Sequence, residues 1–94
     1  EIPLICQKLS QSGKYHGIIT IGAVIKGETA HFEHISQAAV SGVMQVMLNE
    51  KLPIALGIIT VYNLAQAKAR SLAGQTNKGY EAALALVEMI LNYK

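Results

Sequence analysis

Two apolar, β-branched runs dominate the pattern of the chain. Gly17-Ile18-Ile19-Thr20-Ile21-Gly22-Ala23-Val24-Ile25 and Pro53-Ile54-Ala55-Leu56-Gly57-Ile58-Ile59-Thr60 carry almost no polar side chain. Such runs predict strands buried on both faces, which are usually parallel. Pro53 stands at a first strand position, where the ladder tolerates a missing amide hydrogen. Between the runs, after a polar turn at 26–30, Ile35, Ala38, Ala39, Gly42, Val43, Val46 and Met47 recur at helical spacing and form one apolar stripe of a long helix. Strand, helix and strand make a βαβ unit. Ahead of it, Pro3 suits the first turn of a helix over about residues 3–11, and Gly13 can end that helix. Beyond it, Asn63 with Gln66 three residues on reads as the N-cap of a helix that carries Leu64, Ala67 and Arg70 and runs out near Gly74. A last helix opens at an Asn77 cap. Its stripe is Tyr80, Ala83, Leu84, Val87 and Leu91, and it reaches almost to Lys94.

Two strands under four helices make an unbalanced layer, because a parallel sheet is covered on both faces and normally has about four or more strands. The expectation is therefore one domain over residues 1–94 that is the C-terminal part of a doubly wound α/β fold, with its first strands upstream. Composition adds a second expectation. Of 94 residues, 51% are hydrophobic and 15% charged, against roughly 25% charged in an average soluble chain, so apolar surface should face a partner chain. A net charge of +2 with no basic run and no Trp argues against nucleic acid as a partner. The single Cys6 excludes an internal disulfide and reads as a small core residue. No apolar stretch reaches the ~18 residues needed to span a bilayer, so neither a membrane partner nor a targeting segment is expected, and the cytoplasm is the default location.

Ligands of open α/β sheets bind beyond the carboxyl ends of the strands. Here those ends are 26–32 and 60–63. The first combines Gly27, Glu28, the Thr29 hydroxyl, a helix start whose free amides favour a phosphate, and the imidazole of His31. Histidine is the side chain whose unperturbed pKa lies near neutrality, so His31 is a candidate general acid/base, against the plain reading of a helix-start residue bonded to nearby backbone. His16 and His34 have no such setting and read as structural. Arg70 and Lys78 flank the turn 71–77, where a guanidinium can hold a phosphate with forked hydrogen bonds; taken singly, each reads as a surface cation. Glu81, in the first turn of the last helix, suits the helix amides and is placed to orient Arg70, or is ordinary helix-start acidity.

The string Gly22-Ala23-Val24-Ile25-Lys26-Gly27-Glu28-Thr29-Ala30-His31-Phe32-Glu33 resembles the signature loop of the 6,7-dimethyl-8-ribityllumazine synthase family, the penultimate enzyme of riboflavin biosynthesis. Glu1-Ile2-Pro3-Leu4, Gly57-Ile58-Ile59-Thr60, Gln66-Ala67 to Arg70, and Asn77-Lys78-Gly79 agree with further family segments in order and spacing. The resemblance implies a flavodoxin-like, three-layer αβα domain. It implies a transferase that condenses 5-amino-6-ribitylaminouracil with 3,4-dihydroxy-2-butanone 4-phosphate, releasing phosphate and water, with no metal or organic cofactor. Riboflavin synthase would act next. By position, His31 would shuttle protons, and Gly27, Glu28 and Thr29 would form the phosphate loop. Glu1, Ile2, Val24 and Ile25 would contact the substrate. In the family the site lies between adjacent subunits, so Arg70 on the phosphate, Lys78 near the substrate and Leu56 on the ring would come from a neighbour, with Glu81 bracing Arg70.

Three departures from the family pattern stand out. Leu56 occupies a position that is usually aromatic, Lys26 replaces an Arg, and His34 replaces a Tyr. The turn Ser71-Leu72-Ala73-Gly74-Gln75-Thr76 lacks the Gly-Thr-Lys-containing turn linked to icosahedral shells, which favours a pentamer or a pair of pentamers. The weakened stacking position keeps open a non-catalytic module that holds a flavin-like or phosphorylated ligand. A purely structural assembly protein would leave His31, Arg70 and Lys78 without a reason to occur together.

Overall fold

The structure, a computed structural model, describes residues 1–29 and 31–93. Ala30, in the predicted turn and signature string, and Lys94 lie outside the described residues. Element order is α1 (Ile2–Gln11), β1 (Ile18–Ile25), α2 (His31–Glu50), β2 (Ile54–Val61), α3 (Leu64–Ser71) and α4 (Lys78–Asn92). β1 and β2 pair in parallel, with Ile18 opposite Ile54 and Ile25 opposite Val61. The predicted βαβ unit is present, and the α/β class with it.

Local chemistry sets the boundaries. Pro3 lies in the first turn of α1, and Gly13 beyond the helix end takes a left-handed φ of 72°. Asn63 caps α3 by accepting a hydrogen bond from the Gln66 amide at 2.9 Å, and Asn77 caps α4 by accepting one from the Tyr80 amide at 3.0 Å. α3 ends earlier than its sequence pattern predicts, because Leu72 turns to extended backbone (ψ 149°).

The sheet divides the core in two. Strand side chains alternate between faces. On one face Cys6 of α1 and Val43 and Val46 of α2 pack on Ile54, with Ile2, Ile18 and Met47 around them. Burial pushes the Cys6 thiol pKa up, as fits a core residue. α1 lies close along α2: a side-chain carbon at Gly42 would sit 2.7 Å from Cγ of Pro3, so only glycine permits this approach. On the other face Ala82 and Leu86 of α4 pack on Ala55, joined by Ile90.

Two expectations fail here. β1 is not buried on both faces: Ile19, Ile21 and Ile25 are 40%, 66% and 41% exposed, because α4 covers β2 more than β1. The predicted stripe of α4 also points the wrong way. Tyr80, Leu84, Val87 and Leu91 are exposed, whereas Ala82, Leu86 and Ile90, four residues apart, face the sheet. α4 is apolar on two sides, and periodicity alone picks the side with the larger residues. Among the described residues, no helix is long and apolar enough to cross a membrane.

Candidate active site

β1 and β2 end together. The Lys26 amide donates to the Val61 carbonyl at 2.9 Å, carrying the ladder one residue past β1. Open hollows lie on both sides of the sheet, and two of them lie toward the carboxyl ends of the strands. The first, of about 400 Å³, is lined by Glu1, Ile2, Gly22, Val24, Ile35 and Ile58, among others. The N-terminus of α1 reaches it because α1 runs alongside α2, against the strands. The second, of about 540 Å³, is lined by Thr60, Val61, Tyr62, Gln66, Arg70, Thr76 and Glu81, among others. It is bounded by the capped starts of α3 and α4.

His31 opens α2 directly beyond β1. Its amide donates to the Thr29 hydroxyl oxygen at 3.4 Å. Its side chain is exposed, and the imidazole has no hydrogen-bond partner among the described residues. The backbone-bonded reading therefore applies to its amide and leaves the ring nitrogens available. Thr29 accepts through its oxygen and keeps its own proton to donate. Gly27 and Glu28 are exposed, and a side-chain carbon at Gly27 would meet nothing within 4 Å.

Glu1, Ile2 and Val24 meet in the first hollow, as expected of a substrate-contacting set. Ile25 does not join them. As the next residue along β1 it points to the opposite face, where it is half exposed. Leu56 is half-buried opposite Thr20 and lines neither hollow. Arg70 and Glu81 share the second hollow, but the ion pair of Glu81 is with Lys78, one turn away on α4, at 3.9 Å, rather than with Arg70. The spacing on α4 explains this, since residues three apart lie on one helix face. An exposed pair of this kind contributes about 0–1 kcal/mol, so Lys78 is readily released to a ligand.

The structure adds to the site residues that the sequence reading did not place there. Tyr62, the first residue after β2, stacks against Phe32 with ring centroids 5.9 Å apart and planes tilted by 43°, and Lys26 holds Nζ 5.6 Å from the Tyr62 centroid. Ile35, Ala38 and Ala39 line the first hollow. Ile35 and the alanines fall within the α2 stripe, where periodicity marks core and site alike.

A parallel βαβ unit, with His31 opening α2 past the end of β1 and Arg70 in the hollow beside the end of β2, defines an α/β protein of the class that binds ligands beyond the carboxyl ends of its strands. The profile of the 6,7-dimethyl-8-ribityllumazine synthase family matches residues 1–94, and the chain belongs to that family. It is 47% identical over 90 residues to the 6,7-dimethyl-8-ribityllumazine synthase of Desulfovibrio desulfuricans, covering 96% of this chain and 58% of that protein. It is 40% identical over 94 residues to the synthase of Pelodictyon phaeoclathratiforme, covering 100% of this chain and 61% of that protein. To the synthase of Pediococcus pentosaceus it is 44% identical over 90 residues, covering 96% of this chain and 58% of that one. The chain thus spans about three-fifths of the length of these relatives.

Proposed function

We propose that the chain carries the phosphate and proton-transfer part of a 6,7-dimethyl-8-ribityllumazine synthase site, working in the cytoplasm ahead of riboflavin synthase. The reaction condenses 5-amino-6-ribitylaminouracil with 3,4-dihydroxy-2-butanone 4-phosphate and releases phosphate and water. The phosphate of the butanone seats on the Gly27–Thr29 loop, where the Thr29 hydroxyl donates to it, and meets Arg70. His31 moves protons as the imine forms and the phosphate departs. Glu1, Ile2 and Val24 face the ribityl-pyrimidine, and Lys78, freed from Glu81, approaches the substrate.

The observation that carries this reading is the division of the site residues between two hollows. Glu1, Ile2 and Val24 belong to the hollow on the α1 and α2 side, whereas Arg70 and Glu81 belong to the one on the α3 and α4 side. This supports a site completed between adjacent subunits, with His31 and its loop from one chain and Arg70 and Lys78 from the next. The exposed apolar side chains of β1 and α4 support the same arrangement, since surfaces of this kind mark contacts between chains. A pentamer, or a pair of them, is the assembly we propose.

The test is phosphate release from the butanone phosphate in the presence and absence of the aminouracil, with lumazine formation followed by absorbance. Release that depends on both substrates supports the synthase. Tight lumazine binding without turnover would select the non-catalytic module instead. Sedimentation of the same preparation as a monomer with full activity would overturn the shared site.

A further inference from the structure

The segment that carries Gly27, Thr29 and His31 is flanked by Lys26 and Phe32, and both flanking residues rest on one ring. Phe32 lies 5.9 Å from the Tyr62 centroid, and the Lys26 ammonium lies 5.6 Å from it. The ring itself is anchored. The Tyr62 amide donates to Oε1 of Gln66 at 2.8 Å, and the Gln66 amide donates to Asn63 at 2.9 Å, which ties Tyr62 to the first turn of α3. One turn further on, α3 carries Arg70. Tyr62 is 67% exposed and takes no part in either core cluster, so its ring contributes little to the core. Its contacts go instead to the two ends of the loop.

We propose that Tyr62 is a positioning residue that clamps Lys26, at the end of β1, and Phe32, in the first turn of α2, and so holds the amides of 27–29 and His31 in their working arrangement. The inference rests on the synthase reading of that loop. The physical basis is the ring's quadrupole, whose negative face attracts the ammonium, together with the tilted contact between the two aromatic rings. Together these contacts bias the loop toward its placed arrangement about 10-fold, equivalent to about 1.4 kcal/mol. A loop placed only a fraction of the time weakens apparent affinity by that fraction, whereas saturating substrate draws the loop back.

The expected result for Tyr62→Ala is a KM for the butanone phosphate raised about 10-fold, with kcat and the KM for the aminouracil changed less than about threefold. Tyr62→Phe keeps the ring and should recover most of the loss, because the clamp needs no hydroxyl. Lys26→Gln removes only the cation and should give a smaller rise in the same KM. Amide hydrogen exchange at 26–29 and 31–32 is a readout independent of activity, and it should quicken in Tyr62→Ala and return toward the parent in Tyr62→Phe. Unchanged exchange in Tyr62→Ala would overturn the clamp. Faster exchange with an unchanged KM for the phosphate substrate would overturn its role in positioning. A parent protein that turns over neither substrate would refute the synthase reading, and the exchange measurement would still decide the clamp.

Discussion

Replacing Gly57 by Ala tests the geometry that brings the two strand ends together. Gly57 is buried on β2 opposite Ile21. A side-chain carbon there would run into the backbone carbonyl oxygen of Thr20 and lie 2.9 Å from Cδ1 of Ile21. The isoleucine tip can rotate away, but the carbonyl belongs to the ladder and moves only if β1 and β2 part. Parting them strains the bonds through Thr20, whose hydroxyl donates to the Ala55 carbonyl at 3.1 Å and accepts from the Gly57 amide at 3.3 Å. Overpacking costs about 1–3 kcal/mol, and each strained hydrogen bond about 0.5–1.5 kcal/mol. Replacing glycine within a strand returns roughly 0.5–1 kcal/mol of chain entropy. The net expectation is a loss of about 1–5 kcal/mol, centred near 3, a large part of the roughly 5–15 kcal/mol that holds a typical protein folded. Urea denaturation at fixed protein concentration reads this directly; at about 1–3 kcal/mol per molar urea, a central loss of about 3 kcal/mol lowers the midpoint by about 1–3 molar. Gly27→Ala is the control, because its side-chain carbon meets open space, and its stability should stay within about 0.5 kcal/mol of the parent. A Gly57→Ala protein that unfolds at the parent's midpoint would refute the close approach of the strands.

Three further outcomes follow from the site. His31→Ala should lower turnover about 10- to 1,000-fold while leaving the butanone phosphate bound, since acid/base assistance is lost and the phosphate contacts remain; unchanged phosphate release would remove the proton-transfer role. Arg70→Ala should raise the KM for the butanone phosphate roughly 10- to 100-fold, the scale of a hydrogen bond to a charged group, and Arg70→Lys should restore it only in part. Equal KM values in all three proteins would return Arg70 to an ordinary surface cation. Asn77→Ala should cost about 1 kcal/mol through loss of the α4 cap, with Asn77→Asp retaining most of it, as read by thermal denaturation; a loss in both variants would show that the amide group is needed for something other than capping.

Much of this protein is decided locally, and those parts were legible in the sequence. The apolar runs 17–25 and 53–60, the periodic stripe of α2, Pro3, Gly13 and the two Asn caps each act within a few residues, so the βαβ unit and its boundaries follow from short-range sterics and hydrogen bonding. The positions of His31 beyond β1 and of Arg70 on α3 follow from chain order in the same way. What depends on neighbours distant in the chain was decided only by the tertiary structure. α4 has apolar residues on two sides, and the contact of Ala82 and Leu86 with Ala55 determines which side is buried. β1 reads like β2 in sequence yet is more exposed, because burial depends on what packs alongside and not on the strand's own residues. Glu81 takes Lys78 over Arg70 because an ion pair forms with whichever cation the helix geometry brings nearest. Residues 26, 32 and 62 meet at one ring because the parallel register ends β1 and β2 side by side, and no local pattern encodes that coincidence.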